Sequence, residues 1–287
     1  MSNEQTKPLS FWQKMLAIDR RIIFAFIFVA LIFPLFLDIT QELSVSRGVQ
    51  MAHESLEAIP DGALVLYAFD YDPPSAPELQ PMSIAVLKVG LRKKWRMVWV
   101  GLWPQGPRQA EMAWSDALAD PRFKDRQPVY GVDYVNLGFQ AGNEAVMQRM
   151  GSDIPGTFPQ DYRGTPIEQI PIMNGVRNLG NFAFLINISS GYPGTREWVQ
   201  FGVDRFGLPT VSGSTAVQTT EVSPYLGRQL KGLIGGMRGA AEYEQLSSNP
   251  GRALKYMVGQ SVAHAIVIFF IIIGNVAYFA TRSRRQE

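Results

Sequence analysis

The chain has 287 residues, 46% of them hydrophobic and 18% charged, with a net charge of +2, no cysteine and two histidines. Without cysteine there can be no disulfide, thiolate metal site or cysteine nucleophile, and the redox compartment is left open. Once its two most apolar segments are set aside, roughly 220 residues remain, enough for one sizeable folded body.

Residues 1–21 form a polar tail in which Lys7, Lys14, Arg20 and Arg21 outweigh Glu4 and Asp19. The next stretch, IIFAFIFVALIFPLFL at 22–37, carries no charge. A helix needs roughly 17 to 25 such residues to cross the hydrocarbon layer, so a first transmembrane helix over 22–38 is predicted at the short end of that range. Its apolar run exceeds that of a secretory signal and no A-x-A site follows, which makes it a retained anchor. Leu43, Val45, Val49, Ala52, Leu56 and Ile59 recur at helical spacing, which predicts a helical connector over 39–60.

From residue 61 to 250 short apolar runs alternate with helical stretches. Strands are predicted at 63–70, 96–103, 129–139, 181–189 and 208–217, with helices at 77–94, 104–120, 141–151 and 195–207 between them. Such alternation implies a mostly parallel sheet covered on both faces, a doubly wound, Rossmann-like α/β fold of about five strands. Residues 151–181 interrupt the rhythm with prolines and glycines, and are read as a loop-rich insertion with a short helix near 167–173. A long helix is expected at 224–246. After a connector at 251–261, a second transmembrane helix is expected over 262–280, and residues 281–287 form a tail with Arg282, Arg284 and Arg285 against Glu287.

Each tail is thus +2 and the intervening body about −2. Basic residues flanking spans mark the cytoplasmic side, so both termini are expected inside the cell. The body is then extracytoplasmic, in the periplasm or outside the cell, with the lipid bilayer as its first partner. A slightly acidic body argues against nucleic acid.

In open parallel sheets ligands bind beyond the carboxyl ends of the strands. That rim gathers Asp70, Asp72 and Ser75 after the first strand, Trp103 and Gln105 after the second, and Asn143 and Glu144 after the third. Ser190, Tyr192 and Thr195 follow the fourth strand, and Ser212, Ser214 and Thr215 the fifth. Asp70 and Asp72 could hold a hard cation, Mg or Ca, through oxygen ligands together with Glu144; alternatively Asp72 and Ser75 are turn and cap residues. The D-x-D spacing resembles that of aspartate-nucleophile phosphotransferases, but Pro74 stands where a hydroxyl residue is expected and no downstream lysine and paired aspartates follow. The glycine and serine turns match neither GxGxxG nor the P-loop. His53 and His264 both lie away from the rim, which rules out a Ser-His-Asp arrangement there. Asn187 begins a glycosylation sequon inside a predicted buried strand, and is disregarded.

In the expected helix 224–246, Gly232 and Gly236, and Gly235 and Gly239, are four apart. They mark a close-packing face against the chain's own sheet or a second copy. His264 and Asn275 share a helix face in the second span and are candidates for packing against the first span or a neighbouring subunit. With no catalytic set and no cofactor motif, the sequence favours a non-enzymatic scaffold or binding subunit of a membrane assembly, as a homo-oligomer or with other membrane proteins. The alternative is a small-ligand or divalent-metal-dependent rim.

Overall fold

A computed structural model describes residues 11–33, 42–249 and 251–283. It divides into two compact units, one formed by Glu42–Leu254 and the other by the residues on either side of it.

The first unit is the body. Its six strands are β1 (Leu64–Asp70), β2 (Arg96–Gly101), β3 (Tyr134–Phe139), β4 (Phe184–Ser189), β5 (Thr210–Ser214) and β6 (Leu230–Gly235). They form one sheet in the order β3-β2-β1-β4-β5-β6, and every neighbouring pair is parallel. The expected Rossmann-like α/β sheet is present, with six strands in place of five. Strand order reverses between β1 and β4, which puts the topological switch point at Asp70 and Ser189, residues paired in register.

After the two N-terminal helices described below, α1 and α2, come α3 (Arg47–Ala58), α4 (Ala76–Arg92), α5 (Gly106–Leu118), α6 (Glu144–Met150) and α7 (Ile154–Thr157). Next, α8 (Thr195–Trp198) runs through a wide π turn over Val199–Val203 into α9 (Asp204–Phe206), followed by α10 (Ala216–Val222) and α11 (Gly236–Leu246). Side chains of β1 alternate between faces, as the strand period requires. Tyr67 and Phe69 stack at 4.2 Å, and Phe69 meets Trp99 edge-on at 6.0 Å on one face. Leu66 and Ala68 join the core on the other face.

Three expectations are corrected. The helix expected at 224–246 is two elements, edge strand β6 and then α11. Gly232 belongs to β6, where a Cβ would lie 2.2 Å from the Cα of Ala52, so α3 lies directly on this strand and only glycine fits beneath it. Within residues 151–181, Ile154, Phe158, Ile167, Ile170, Ile172 and Met173 are buried in the core beneath the sheet. The short helix expected near 167–173 is a pair of 3-10 turns, Ile167–Gln169 and Pro171–Met173. Finally, the connector is not one helix from residue 39, because residues 42–46 are non-helical and lead into α3.

The second unit contains α1 (Phe11–Leu16), α2 (Arg20–Ile32) and, from Lys255 onward, α12 (Arg252–Ser283). Among the described residues one helix is long and apolar enough to cross a membrane, Arg252–Arg282, and only 11% of its apolar window is buried, unlike a core helix. The N-terminal helix α2 has 13 residues. At 1.5 Å per residue that is about 20 Å, short of a hydrocarbon layer of about 30 Å. No complete first span is therefore seen, and residues 34–38 of the expected one lie outside the described residues. Within this unit Gly259 lies against the backbone of Leu31, and the rings of Phe26 and Phe270 meet edge to face at 6.1 Å. Those two contacts make α2 and α12 antiparallel. His264 and Asn275 are exposed, whereas Ala30 on α2 and Val258, Ala263 and Ala277 on α12 are buried.

Candidate functional site

The carboxyl end of the sheet brings the expected rim residues together around Asp70. This side chain is fully buried. Its Oδ1 accepts the backbone N–H of Leu102 at 2.8 Å, and its Oδ2 accepts the side-chain amide of Asn187 and the indole N–H of Trp198, each at 2.7 Å. Burial pushes the carboxyl up from 3.8 to about 7, against the three hydrogen bonds that lower it. A polar chain leads on across the sheet: Thr195 Oγ1 donates to Asn187 Oδ1 at 2.9 Å and lies 2.6 Å from Ser212 Oγ. Asp70 thus ties β1, β2, β4 and α8 at the switch point.

Other carboxylates close the rim in the same way. Asp72 accepts the hydroxyl of Ser75 at 2.8 Å and its backbone N–H at 3.3 Å, the cap arrangement weighed from the sequence. The N-terminus of α8 faces the switch point, and the N–H groups of such a helix end favour an anion. Here Glu197 occupies it, accepting the N–H of Gly194 at 2.9 Å through one oxygen and Arg196 through the other. Similarly, Glu78 takes the N–H of Ala216 at the start of α10 at 2.8 Å. The N-termini of α8 and α10 are therefore already occupied by the chain's own acids. Gly194 is also hemmed in, because a Cβ there would lie 1.9 Å from Ser189 Oγ.

The remaining candidates sit around these caps. Trp103 donates its indole N–H to the carbonyl of Pro193 at 2.8 Å, across the loop that contains the cis Tyr192–Pro193 bond. Exposed Tyr192 donates its hydroxyl to Glu144 at 2.7 Å, and Asn143 reaches the same hydroxyl at 3.4 Å. That bond holds the Glu144 carboxyl below its usual value. Ser214 pairs with Thr219 at 3.0 Å, Thr215 caps α10, and Gln105 is exposed at the start of α5. The hydroxyl of Ser190 is buried without a partner. Among the described residues no three His, Asp or Glu side chains gather as a metal-binding group. The oxygens of Asp70 and Oδ1 of Asp72 are taken up by donors of the chain itself.

Sequence reasoning missed Asn187, Glu197 and Trp198 at this rim. The available signal was Asn187 itself, a polar residue in the middle of a strand predicted to be buried. It also missed a second cluster at the opposite end of the body, on α11. Gln245 accepts the N–H of Leu43 at 2.9 Å and donates to its carbonyl at 3.0 Å, and Glu242 accepts the N–H of Ser46 at 2.9 Å. Glu244 accepts the N–H groups of Ala253 and Leu254 at 3.2 and 2.9 Å, in the first turn of α12. Burial raises the Glu244 carboxyl from 4.5 to about 7. One helix therefore grips both the segment that enters the body and the segment that leaves it.

No protein-family model matches the chain, and comparison with curated proteins finds no match.

Proposed function

We propose that this chain is a membrane-anchored α/β body that serves as a scaffold or binding subunit of a larger membrane assembly. Two spans hold it, with both termini cytoplasmic and the body outside the cytoplasmic membrane. The observation that carries the reading is the grip of α11 on both ends of the body, through Glu242 and Gln245 on one side and Glu244 on the other. Two chain ends held at one helix suit a body mounted on one bilayer by a hairpin of spans, and the antiparallel contact of α2 with α12 supports the same mounting. The basic tails support the orientation.

The scaffold role draws on the rim. In an enzyme of this fold the switch point offers free polar groups to substrate. Here Asp70, Asp72, Glu78 and Glu197 hold the chain's own N–H groups instead. The test is native mass spectrometry or sedimentation of the detergent-extracted protein. A homo-oligomer or a co-purifying membrane subunit is expected, and a strict monomer with no partner would overturn the reading.

A second reading, a small-ligand or divalent-metal-dependent rim, draws on the unpaired hydroxyl of Ser190 beside exposed Tyr192. It requires a thermal shift with Mg or Ca that is lost in the Asp70→Asn, Asp72→Asn double variant. No shift with any divalent ion removes it.

A further inference from the structure

The end of the body opposite the rim carries a cavity of about 600 Å³. Three arginines, Arg92, Arg122 and Arg126, line it together with His53, Glu57 and Phe123, and residues 246–249 form its remaining wall. The topology fixes where this cavity lies. Helix α4 starts at the rim after β1 and ends at Arg92, and α11 starts at the rim after β6 and ends at Leu246. Residues 122–126 fall between α5 and β3, at the same end. The cavity wall at Asn249 is three residues before Arg252, where α12 begins, a reach of at most about 10 Å of extended chain.

The arginines have different tasks. Arg122 is fixed: it forks onto Asp120 through Nε at 3.0 Å and Nη2 at 2.7 Å, and its Nη1 donates to the carbonyl of Ser248 at 2.8 Å, which holds the wall in place. Arg92 pairs with Glu57. Arg126 is exposed and forms no ion pair among the described residues. The cavity thus keeps an excess of positive charge, carried by Arg126, whose planar guanidinium fork matches phosphate oxygens.

We propose that this cavity binds the phosphate of an anionic phospholipid headgroup, with Arg126 as the principal contact and Arg92 and Arg122 beside it. The inference rests on the membrane-anchored reading, because it takes the start of α12 to lie at the bilayer surface. The phosphates of acidic lipids attract guanidinium groups held at the membrane surface, and each basic residue near such a surface contributes a several-fold gain in binding.

The test uses the full chain in detergent, analysed by native mass spectrometry with phosphatidylglycerol or phosphatidylcholine added at equal concentration. Preferential retention of phosphatidylglycerol is expected, weakened about fivefold by Arg126→Gln and further by Arg92→Gln. Arg108→Gln, the same charge change near the rim end of α5, should leave it unaltered. Circular dichroism melts establish that the variants are folded. Equal retention of both lipids, or a preference untouched by Arg126→Gln, overturns the inference. Displacement of the lipid by millimolar inorganic phosphate would assign the site to the free ion and likewise overturn it. Alkaline carbonate extraction of membranes separates the two levels: release of the chain defeats the anchored reading, whereas a chain that stays integral without lipid preference defeats this inference alone.

Discussion

The indole N–H of Trp198 donates to Oδ2 of Asp70 at 2.7 Å, joining the helix after β4 to the end of β1. Asn187 and the backbone of Leu102 complete the set, so one buried carboxylate serves three donors from three elements. Asp70→Leu leaves all three donors buried and unpaired. At about 1–3 kcal/mol for each orphaned group, the variant is expected to lose about 3–9 kcal/mol of unfolding free energy. Denaturant titration followed by circular dichroism measures the loss, and near-wild-type stability would show that Asp70 is not a hub.

The same burial gives stability a pH dependence of unusual sign. Asp70 and Glu244 hold their protons in the folded state up to about 7, against 3.8 and 4.5 as ordinary values, with desolvation the largest cause in each. Between those values the folded chain binds more protons than the unfolded one, so stability falls as pH rises through this window. For a fully buried group shifted this far the effect is on the order of 2–4 kcal/mol. The melting temperature should therefore rise as pH is lowered from 8 toward 5.5, and Asp70→Asn should flatten the rise. Asp120, held below the usual carboxylate range first by Arg122 and also by Lys88, acts in the opposite sense but only at lower pH. A melting temperature that climbs steadily from pH 5.5 to 8 would contradict the assignment.

Much of the sheet was legible because its central strands are buried on both faces and read as continuous apolar runs, LVLYAFD in β1 and FLINIS in β4. Edge strand β6 was not legible. Its sequence LKGLIG is short and leads without a break into α11, and its glycines continue with Gly236 and Gly239 in a four-residue spacing that imitates a helix face. The real cause of Gly232 is non-local, the backbone of α3 lying across the strand, and no window of sequence contains both. The rim was legible as a list of residues but not as a set of partners. Nothing in the local pattern says that Glu78 caps a helix that begins 138 residues later. The grip of α11 was hidden for the same reason, since Gln245 meets Leu43 across 202 residues.

Gly232 offers a direct test of that non-local packing. A methyl group there would lie 2.2 Å from the Cα and 2.3 Å from the backbone nitrogen of Ala52, neither of which can rotate away. Gly232→Ala should cost about 1–3 kcal/mol, the usual range for overpacking, in spite of alanine's lower backbone entropy. Chemical denaturation gives the number. A stabilising change, the result expected of a glycine on an exposed helix face, would contradict this packing.

The proposed threading of the chain through a membrane has an equally direct test, because the sequence contains no cysteine to compete with an introduced one. Val217, near the start of α10 at the rim end of the body, is 81% exposed, and a side chain so placed can be replaced without disturbing the core. With the body outside the cytoplasmic membrane, Val217→Cys should react with a membrane-impermeant maleimide in intact spheroplasts, to the extent seen after lysis. A cysteine at Lys14, in the tail expected inside the cell, should react only after lysis. Reaction of the tail and protection of the body would invert the topology. Reaction of only one terminus, tested with a third cysteine at Arg282, would reduce the hairpin to a single span, with α2 left as a peripheral helix.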